Sequence, residues 1–230
     1  MNYLMIGPTP PPLGGISVYV DRRSRILRGN GETVRNIDFA RLGIVRKAAA
    51  LAKILLDPRH TGFELHAYDF SVMTVLLARP FPKEIIYMDH NTLLYDHDVR
   101  GLRKWILSRF LSRAHVQFVS DAGIEFYRSR GFTFGKAEVR TAYLPPPTED
   151  EARILATYDA RTRNFLDTAQ PLIVANASQI VFLNGTDLYG LDLCVDLLLK
   201  VREVHPNAGL LFALANDEPN SAYLQEMRKK

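Results

Sequence analysis

Short apolar runs alternate with amphipathic stretches along the first 145 residues. Runs such as "NYLMI", "FELHA" and "KEIIYM" have the length of buried strands, and each precedes a stretch with apolar residues at helical spacing. In the first such stretch Ile16, Tyr19, Val20 and Leu27 recur on one side. Six strands that alternate with helices predict a parallel sheet covered on both faces, which is a doubly wound α/β domain.

The pattern changes at three consecutive prolines, residues 145–147, which precede a polar, charged stretch that extends to residue 170. We interpret this stretch as a partly helical linker. Residues 171–230 return to the strand–helix pattern, and a helix is predicted from about residue 187. The prediction is therefore a first domain at 1–145, a linker at 146–170, and the beginning of a second domain at 171–230. We expect the second domain to be truncated, since two strand–helix units bury little core.

Charge is distributed unevenly between the two halves of the 230-residue chain. Residues 1–115 carry 17 Lys and Arg against 10 Asp and Glu, whereas residues 116–230 carry 12 against 15. A basic first half favours an anionic partner such as a phospholipid, a nucleotide or a nucleic acid. A solvated basic surface explains the charge equally well.

The cysteine content, the N-terminal sequence and the length of the apolar stretches indicate the cellular compartment of the protein. The chain has one cysteine, Cys194, so it forms no intramolecular disulfide. We find no secretory leader pattern at the N-terminus and no apolar stretch of the ~20 residues that a membrane span needs. These observations favour a cytoplasmic protein.

A glycine pair, Gly14 and Gly15, lies between the first strand and the first helix. Glycines at a helix start allow an anion to approach the backbone amides. The P-loop pattern and the G-x-G-x-x-G pattern are both absent from the sequence, so neither nucleotide-binding signature applies. The alternative is a loop that is merely stiffened by Pro10, Pro11 and Pro12.

Two polar residues follow predicted strands at the edge where open parallel sheets bind ligands. His90 ends the fourth strand and could orient a sugar hydroxyl or act as an acid or base. Ser120 ends the fifth strand, and either it meets a ligand or it caps the next helix, which we favour. The neighbouring Asp89, Asp96, His97 and Asp98 lack an established ligand spacing, so we expect no metal.

A basic segment at residues 100–114 combines cations with Trp and Phe, which is a composition of membrane-surface helices. Its cationic patch consists of Arg100, Arg103, Lys104 and Arg109. The faces are imperfectly separated, so a packed helix with solvated arginines is the favoured interpretation and membrane docking is the alternative. No nucleic-acid-binding motif is present.

The order of these features resembles glycosyltransferase family 4. The matching segments are "PPPLGGISVYV", "ELHAYDF", "IIYMDHNTL", "FVSDAGIEFYRSRG" and, from residue 171, "PLIVANASQI" with "YGLDLCVDLLLKVREVHPNAGLLFAL". The resemblance implies the GT-B fold, with two Rossmann-like domains, and places the chain in the first domain and the start of the second. It implies a retaining transfer of a hexose from a nucleotide-sugar to a glycan or lipid-linked acceptor, without an essential metal. It also implies a role in the synthesis of surface polysaccharides.

The resemblance also assigns roles to residues. Gly14, Gly15, Ser120 and Asp69 would bind substrate, His90 would contact the transferred sugar, and Gly190 would bind the donor. The sequence departs from the family at two positions that help neutralise the donor diphosphate. The segment "ANASQIVFLNG" lacks the family's Arg, and Tyr189 stands before Gly190 where the family has Lys. We therefore expect these 230 residues not to turn over by themselves. A GT-B-fold epimerase or phosphorylase, and a non-catalytic membrane-docking module, stay open as alternatives.

Overall fold

The computed structural model describes residues 2–11, 13–56, 58–59, 61–66, 68–80, 84–90 and 99–230. The chain divides into two compact units, Met1–Pro146 and Pro147–Lys230. Each unit is described by itself below.

The first unit is a parallel sheet flanked by helices. Its strands within the described residues are β1 (Asn2–Ile6), β2 (Thr33–Ile37), β3 (Gly62–Leu65), β4 (Glu84–Asp89), β5 (His115–Phe118) and β6 (Lys136–Val139). Its helices are α1 (Gly15–Gly29), α2 (Ile44–Leu56), α3 (Phe70–Ala78), α4 (Gly101–Leu111) and α5 (Asp121–Ser129). The strand order is β2–β1–β3–β4–β5–β6, with every pair parallel.

Helices cover both faces of this sheet, because the strand side chains alternate between two cores. Met5 of β1 packs with Val20 and Leu27 of α1 on one face. Leu4 and Ile6 of the same strand belong to the larger cluster on the other face. That cluster includes side chains from α2, α3, α4 and α5, such as Ile54, Met73, Phe110 and Tyr127. The predicted doubly wound arrangement is confirmed.

The strand order reverses direction at β1. The chain leaves β1 for β2 on one side, and then crosses over to β3 on the other side of β1. Ligands of open α/β sheets bind outside the carboxyl ends of the strands at such a switch point. A ligand is therefore expected beside the residues that follow β1 and β3.

The second unit begins with a 3-10 turn at Thr148–Asp150 and the helices α6 (Glu151–Ala156) and α7 (Ala160–Thr168). The strands β7 (Leu172–Ala177) and β10 (Gly209–Leu214) pair in parallel. Between them lie β8 (Phe182–Leu183), β9 (Thr186–Asp187) and the helix α8 (Leu191–Arg202), and α9 (Ser221–Met227) follows. Side chains of α8 and α9 form a small core with Ile180.

The start of helix α8 corrects the sequence-based expectation, which began this helix at about residue 187. Residue Asp187 instead belongs to an antiparallel hairpin of β8 and β9. Its carboxylate accepts hydrogen bonds from the amides of Tyr189 and Leu191, at 3.0 and 2.9 Å. These bonds satisfy amides that would otherwise lack partners at the helix start, so the helix begins four residues later than predicted.

Candidate functional site

Two histidines lie together at the carboxyl edge of the sheet, beside the switch point. His66 directly follows β3, and His90 directly follows β4. The Nδ1 atom of His66 lies 3.2 Å from the Nε2 atom of His90. Tyr19 of α1 packs edge-on against the His90 ring, with the ring centroids 4.9 Å apart. The sheet edge thus carries a contact pair of imidazoles held against an aromatic ring.

The end of β1 is shaped to accommodate His66. A Cβ atom at Gly7 would lie 2.8 Å from the Cβ of His66 and 3.3 Å from Cγ2 of Val20. Such a distance requires the neighbour to move, so a side chain at position 7 would displace His66. Glycine is therefore the residue that lets β1 and β3 bring the histidine to this edge.

A buried ion pair lies beneath the histidines. Glu64 of β3 is buried and faces α1, from which Arg23 reaches it with two hydrogen bonds. The Nη2–Oε1 distance is 2.8 Å and the Nε–Oε2 distance is 3.2 Å. This two-pronged contact is the strong form of an arginine–carboxylate bond. Because Glu64 has period-two spacing with His66, both side chains point to the α1 side of the sheet.

Glu64 also contacts His66, which extends the pair into a chain. The Nε2 atom of His66 lies 3.5 Å from Oε2 of Glu64, which is an electrostatic contact without a hydrogen bond. Arg23, Glu64, His66 and His90 thus form a continuous polar chain from the interior to the sheet edge, which we call the histidine chain.

The surroundings fix the charges within the histidine chain. Burial alone would raise the pKa of the Glu64 carboxyl, but hydrogen bonds and positive charge from His66 and Arg23 outweigh it and lower the pKa to about 2. Burial lowers the pKa of His90 to about 4, and the neighbouring His66 adds to this shift. At neutral pH Glu64 is therefore an anion and His90 is uncharged.

These charges determine which ring nitrogens carry hydrogen when both imidazoles are neutral. An ionised carboxylate attracts a ring hydrogen, so the tautomer of His66 with hydrogen on Nε2 is the favoured one, although this nitrogen, 3.5 Å from Glu64, makes no hydrogen bond. The Nδ1 atom of His66 is then an acceptor, and Nε2–H of His90 donates to it. This leaves Nδ1 of His90 as an acceptor. In this tautomer the histidine chain presents a hydrogen-bond acceptor that suits a hydroxyl group.

The glycine pair lies at the start of α1, as the sequence indicates. Gly14 is the N-cap residue in an extended conformation, and its N–H donates to Oγ of Ser17 at 2.9 Å. A Cβ atom at Gly15 would meet no heavy atom within 4 Å. The fold itself therefore does not require glycine at position 15, and the space beside it is open. Pro12 lies outside the described residues.

Asp69 and Ser120 both precede helices. The Oδ1 atom of Asp69 accepts hydrogen bonds from the amides of Ser71 and Val72, at 2.8 and 3.2 Å, and caps α3. This cap explains the residue structurally, and a substrate contact by Asp69 stays a prediction. Ser120 is the N-cap residue of α5, but its side chain makes no capping hydrogen bond. Its exposed hydroxyl lies at the carboxyl edge of β5, and a substrate contact there also stays a prediction.

Gly190 belongs to the second unit and has a specific backbone requirement. It precedes α8 with φ of 64°, in the left-handed region that favours glycine. This geometry accounts for glycine at the position, and the donor-binding role that we predicted stays a prediction.

The predicted cationic patch lies on and before α4. Arg103 lies over the ring of Phe70 and Lys104 over that of Phe132, at 5.5 and 5.7 Å from the ring centroids. Arg109 is exposed near the end of the helix, and Arg100 is its N-cap residue. Stacking on aromatic rings gives two of these cations a structural role, and membrane contact by the patch stays a prediction.

The described part of the chain has neither a metal-binding cluster nor a membrane-spanning helix. No group of three or more His, Cys, Asp or Glu side chains there could hold a metal ion, and Asp96, His97 and Asp98 lie outside it. None of the described helices combines the length and the apolar character that crossing a membrane requires.

Sequence reasoning found His90 but missed Arg23, Glu64 and His66. A signal was available for Glu64, because a carboxylate between Phe63 and Leu65 in a buried strand needs a compensating cation. The identity of that cation could not be inferred, since Arg23 is one of several arginines on α1.

Comparison with known proteins identifies a fold likeness. No family model matches the chain, and no curated protein matches it. The crystal structure of HepE from Anabaena, in complex with UDP and glucose, matches with a TM-score of 0.54 and 14% sequence identity. The match covers 100% of this chain and 65% of the HepE chain. At this identity the likeness shows the fold alone, and it confirms the predicted Rossmann-like α/β class of GT-B type.

Proposed function

We propose that this chain carries the acceptor-side domain and the beginning of the nucleotide-sugar domain of a retaining glycosyltransferase of family 4. It would transfer a hexose from a nucleotide-sugar to a glycan or lipid-linked acceptor. The likeness to HepE, whose structure contains UDP and glucose, supports the donor class. The order of sequence motifs supports the family.

The observation that carries the proposal is the position of the histidine chain at the switch point. Neutral His90 offers Nδ1 as an acceptor to a hydroxyl of the transferred sugar and so orients the anomeric carbon. The acceptor hydroxyl forms the new C–O bond, and the bond from that carbon to the donor diphosphate breaks. The diphosphate leaves with the electron pair, and its oxygen takes the proton from the acceptor hydroxyl. No metal enters this scheme.

The open space at Gly15 supports binding of the donor diphosphate at the start of α1. The first amides of α1 point out of the helix start, where they and the helix dipole favour an anion. Because a Cβ atom at Gly15 would occupy this space, glycine leaves it free for the ligand.

The uneven charge and the acceptor class support a role in surface polysaccharide synthesis at the inner face of the plasma membrane. Lipid-linked acceptors are held at a bilayer, and a basic first half favours contact with anionic lipid.

The test is transfer of radiolabelled sugar from a panel of nucleotide-sugars to a lipid and glycan extract. It is carried out with the chain and with any longer product of its coding sequence. We expect transfer by at least one of them, with at least 100-fold loss in His90→Ala and no loss in His205→Ala, which changes an exposed histidine of the second unit. Absence of transfer from every donor, or full activity of His90→Ala, would contradict the proposal.

A further inference from the structure

Arg140 directly follows the last strand of the first unit, at the same edge of the sheet as His90. Its backbone N–H donates to the carbonyl of Phe118 at 2.7 Å, which holds the residue against the end of β5. The residue is half-buried. The fold therefore fixes the position of a cation at the carboxyl edge.

The register of the sheet aligns Arg140 with His90. The last row in which β4, β5 and β6 pair consists of Asp89, Phe118 and Val139. One residue further along each chain segment lie His90, Val119 and Arg140. Partners in one row of a parallel sheet project to the same side. The Cα atoms of His90 and Arg140 are two strand spacings apart, or about 10 Å.

The electrostatics of Tyr19 agree with this placement. Tyr19 packs against the His90 ring from α1. Burial raises the pKa of the Tyr19 phenol, and the positive charge of Arg140 is the largest effect that opposes the rise. Such an opposing effect requires that the guanidinium lie near the phenol. The charge of Arg140 is therefore on the α1 side of the sheet, with Tyr19 and His90.

Arg140 differs from the other half-buried arginines of the described residues. Arg22, Arg23 and Arg79 each donate a hydrogen bond to an oxygen atom of the protein. Among the residues that the structure describes, none gives the Arg140 side chain a hydrogen bond, an ion pair or a ring contact. Removal of a charge from water is costly unless the charge is paired. A half-buried guanidinium with five unused donors is therefore suited to bind an anion from outside the chain.

The space between His90 and Arg140 is open to a ligand. Val119 lies between them in the row, and its side chain is 36% exposed. The exposed Ser120 follows it. This surface combines an apolar floor with a cation at one end and the Nδ1 acceptor of His90 at the other. It suits a sugar ring that carries an acid group.

We propose that the acceptor of the transfer reaction is an acidic sugar, whose carboxylate or phosphate binds the guanidinium of Arg140. The ring of this sugar lies over Val119, beside the transferred sugar at His90. The guanidinium fork matches both kinds of acid group, since each offers two oxygens to two parallel N–H donors. The assignment of this sugar as the acceptor rests on the proposed function, whereas its binding at Arg140 is measurable without any transfer.

Position argues against the donor diphosphate as the anion at Arg140. The proposed place of the diphosphate is the start of α1, which follows β1. Strands β1 and β6 are four spacings apart in the sheet, or about 19 Å. His90 follows β4, between these two strands. The diphosphate, the transferred sugar and the acidic acceptor thus occupy successive positions along the carboxyl edge.

The experiment is an NMR titration of the purified chain with isotopically labelled arginine, in the absence of any nucleotide-sugar. The Nε–H signal of Arg140 is assigned by its loss in Arg140→Lys. We expect this signal to shift with methyl glucuronide or with glucose-6-phosphate, and not with methyl glucoside, which is the neutral match of the first compound. The acidic compound that binds more tightly identifies the acid group as a carboxylate or a phosphate.

Variants test the role of the guanidinium. Arg140→Gln should weaken the binding of the preferred acidic sugar about 10-fold or more, because a charged hydrogen-bonded pair is lost. Arg140→Lys keeps the charge without the fork and should weaken it about threefold. Arg128→Gln, which changes an exposed arginine of α5, is the matched control and should bind normally. Circular dichroism melts identical to the parent chain establish that each variant is folded.

The titration also contains the results that would overturn the proposal. These are an Arg140 signal that moves with neither acidic sugar, equal binding of methyl glucoside, and unchanged binding of the acidic sugar by folded Arg140→Gln. A signal that moves with UDP and with neither acidic sugar would assign Arg140 to the donor. Absence of transfer would contradict the proposed function, whereas the binding of an acidic sugar at Arg140 would still be decided by the titration.

Discussion

The Nδ1 atom of His66 lies 3.2 Å from the Nε2 atom of His90, and the carboxylate of Glu64 lies on the other side of His66. Each ring therefore has a polar neighbour that restricts its orientation. The carboxyl edge of the sheet is thus built on a buried ion pair between Arg23 and Glu64, which are 41 residues apart in sequence.

Removal of one charge of the ion pair should destabilise the first unit. Glu64→Gln leaves the Arg23 guanidinium largely buried without its anion, which costs about 3–5 kcal/mol of unfolding free energy. The double variant Arg23→Met, Glu64→Gln should recover most of that loss. Urea unfolding measures both, with Glu84→Gln as an exposed control in the neighbouring strand. Equal stability of Glu64→Gln and the parent chain would show that the pair is not coupled.

Acid should destabilise the chain through Glu64 over a defined range. The folded-state pKa of about 2 lies below the ordinary value of 4.5, so the stabilisation is present above pH 4.5 and is lost as the pH falls towards 2. The loss is about 3 kcal/mol from this group. Unfolding free energies measured between pH 5 and pH 2 should fall less steeply in the double variant Arg23→Met, Glu64→Gln. Identical slopes would contradict the assignment.

His90 should remain neutral well below the usual range of histidine. Its pKa of about 4, against an ordinary 6.5, predicts that its ring Cε1–H signal in NMR has a titration midpoint near pH 4. Because the folded form binds this proton more weakly than the unfolded chain does, stability also falls as the pH drops from 6.5 towards 4. Loss of the signal in His90→Ala assigns it. A midpoint near 6.5 would refute the burial that we describe.

Two glycines at the same edge should respond oppositely to alanine. Gly7→Ala forces a Cβ against His66 and should cost about 1–3 kcal/mol of unfolding free energy. Gly15→Ala adds a Cβ in open space at a helix start, so the fold should lose no stability. Gly15→Ala, and more strongly Gly15→Val, should nevertheless reduce binding of a nucleotide-sugar, measured by calorimetry. Normal binding by the folded Gly15→Val would remove the glycine pair from the site.

The sequence alone was sufficient to predict the parallel sheet and one member of the histidine chain, His90. Apolar runs of strand length and helical spacing between them predicted the parallel strands, and His90 was found because it follows such a run. Glu64 was missed because "FELHA" reads as a uniform buried strand, and its partner on α1 depends on three-dimensional packing. The hairpin of β8 and β9 was missed although its turn residues, Asn184 and Gly185, both adopt positive φ and form a recognised hairpin signal.

Helix α2 connects the carboxyl end of β2 to the amino end of β3, so it runs the full height of the first unit, opposite in direction to the strands. Val45, near the start of this helix, therefore lies toward the carboxyl edge that carries His66 and His90, and Leu56 lies toward the opposite edge. Both side chains are exposed, so a spectroscopic label at position 45 would report on events near the histidines, and a label at position 56 would be the distant reference on the same helix.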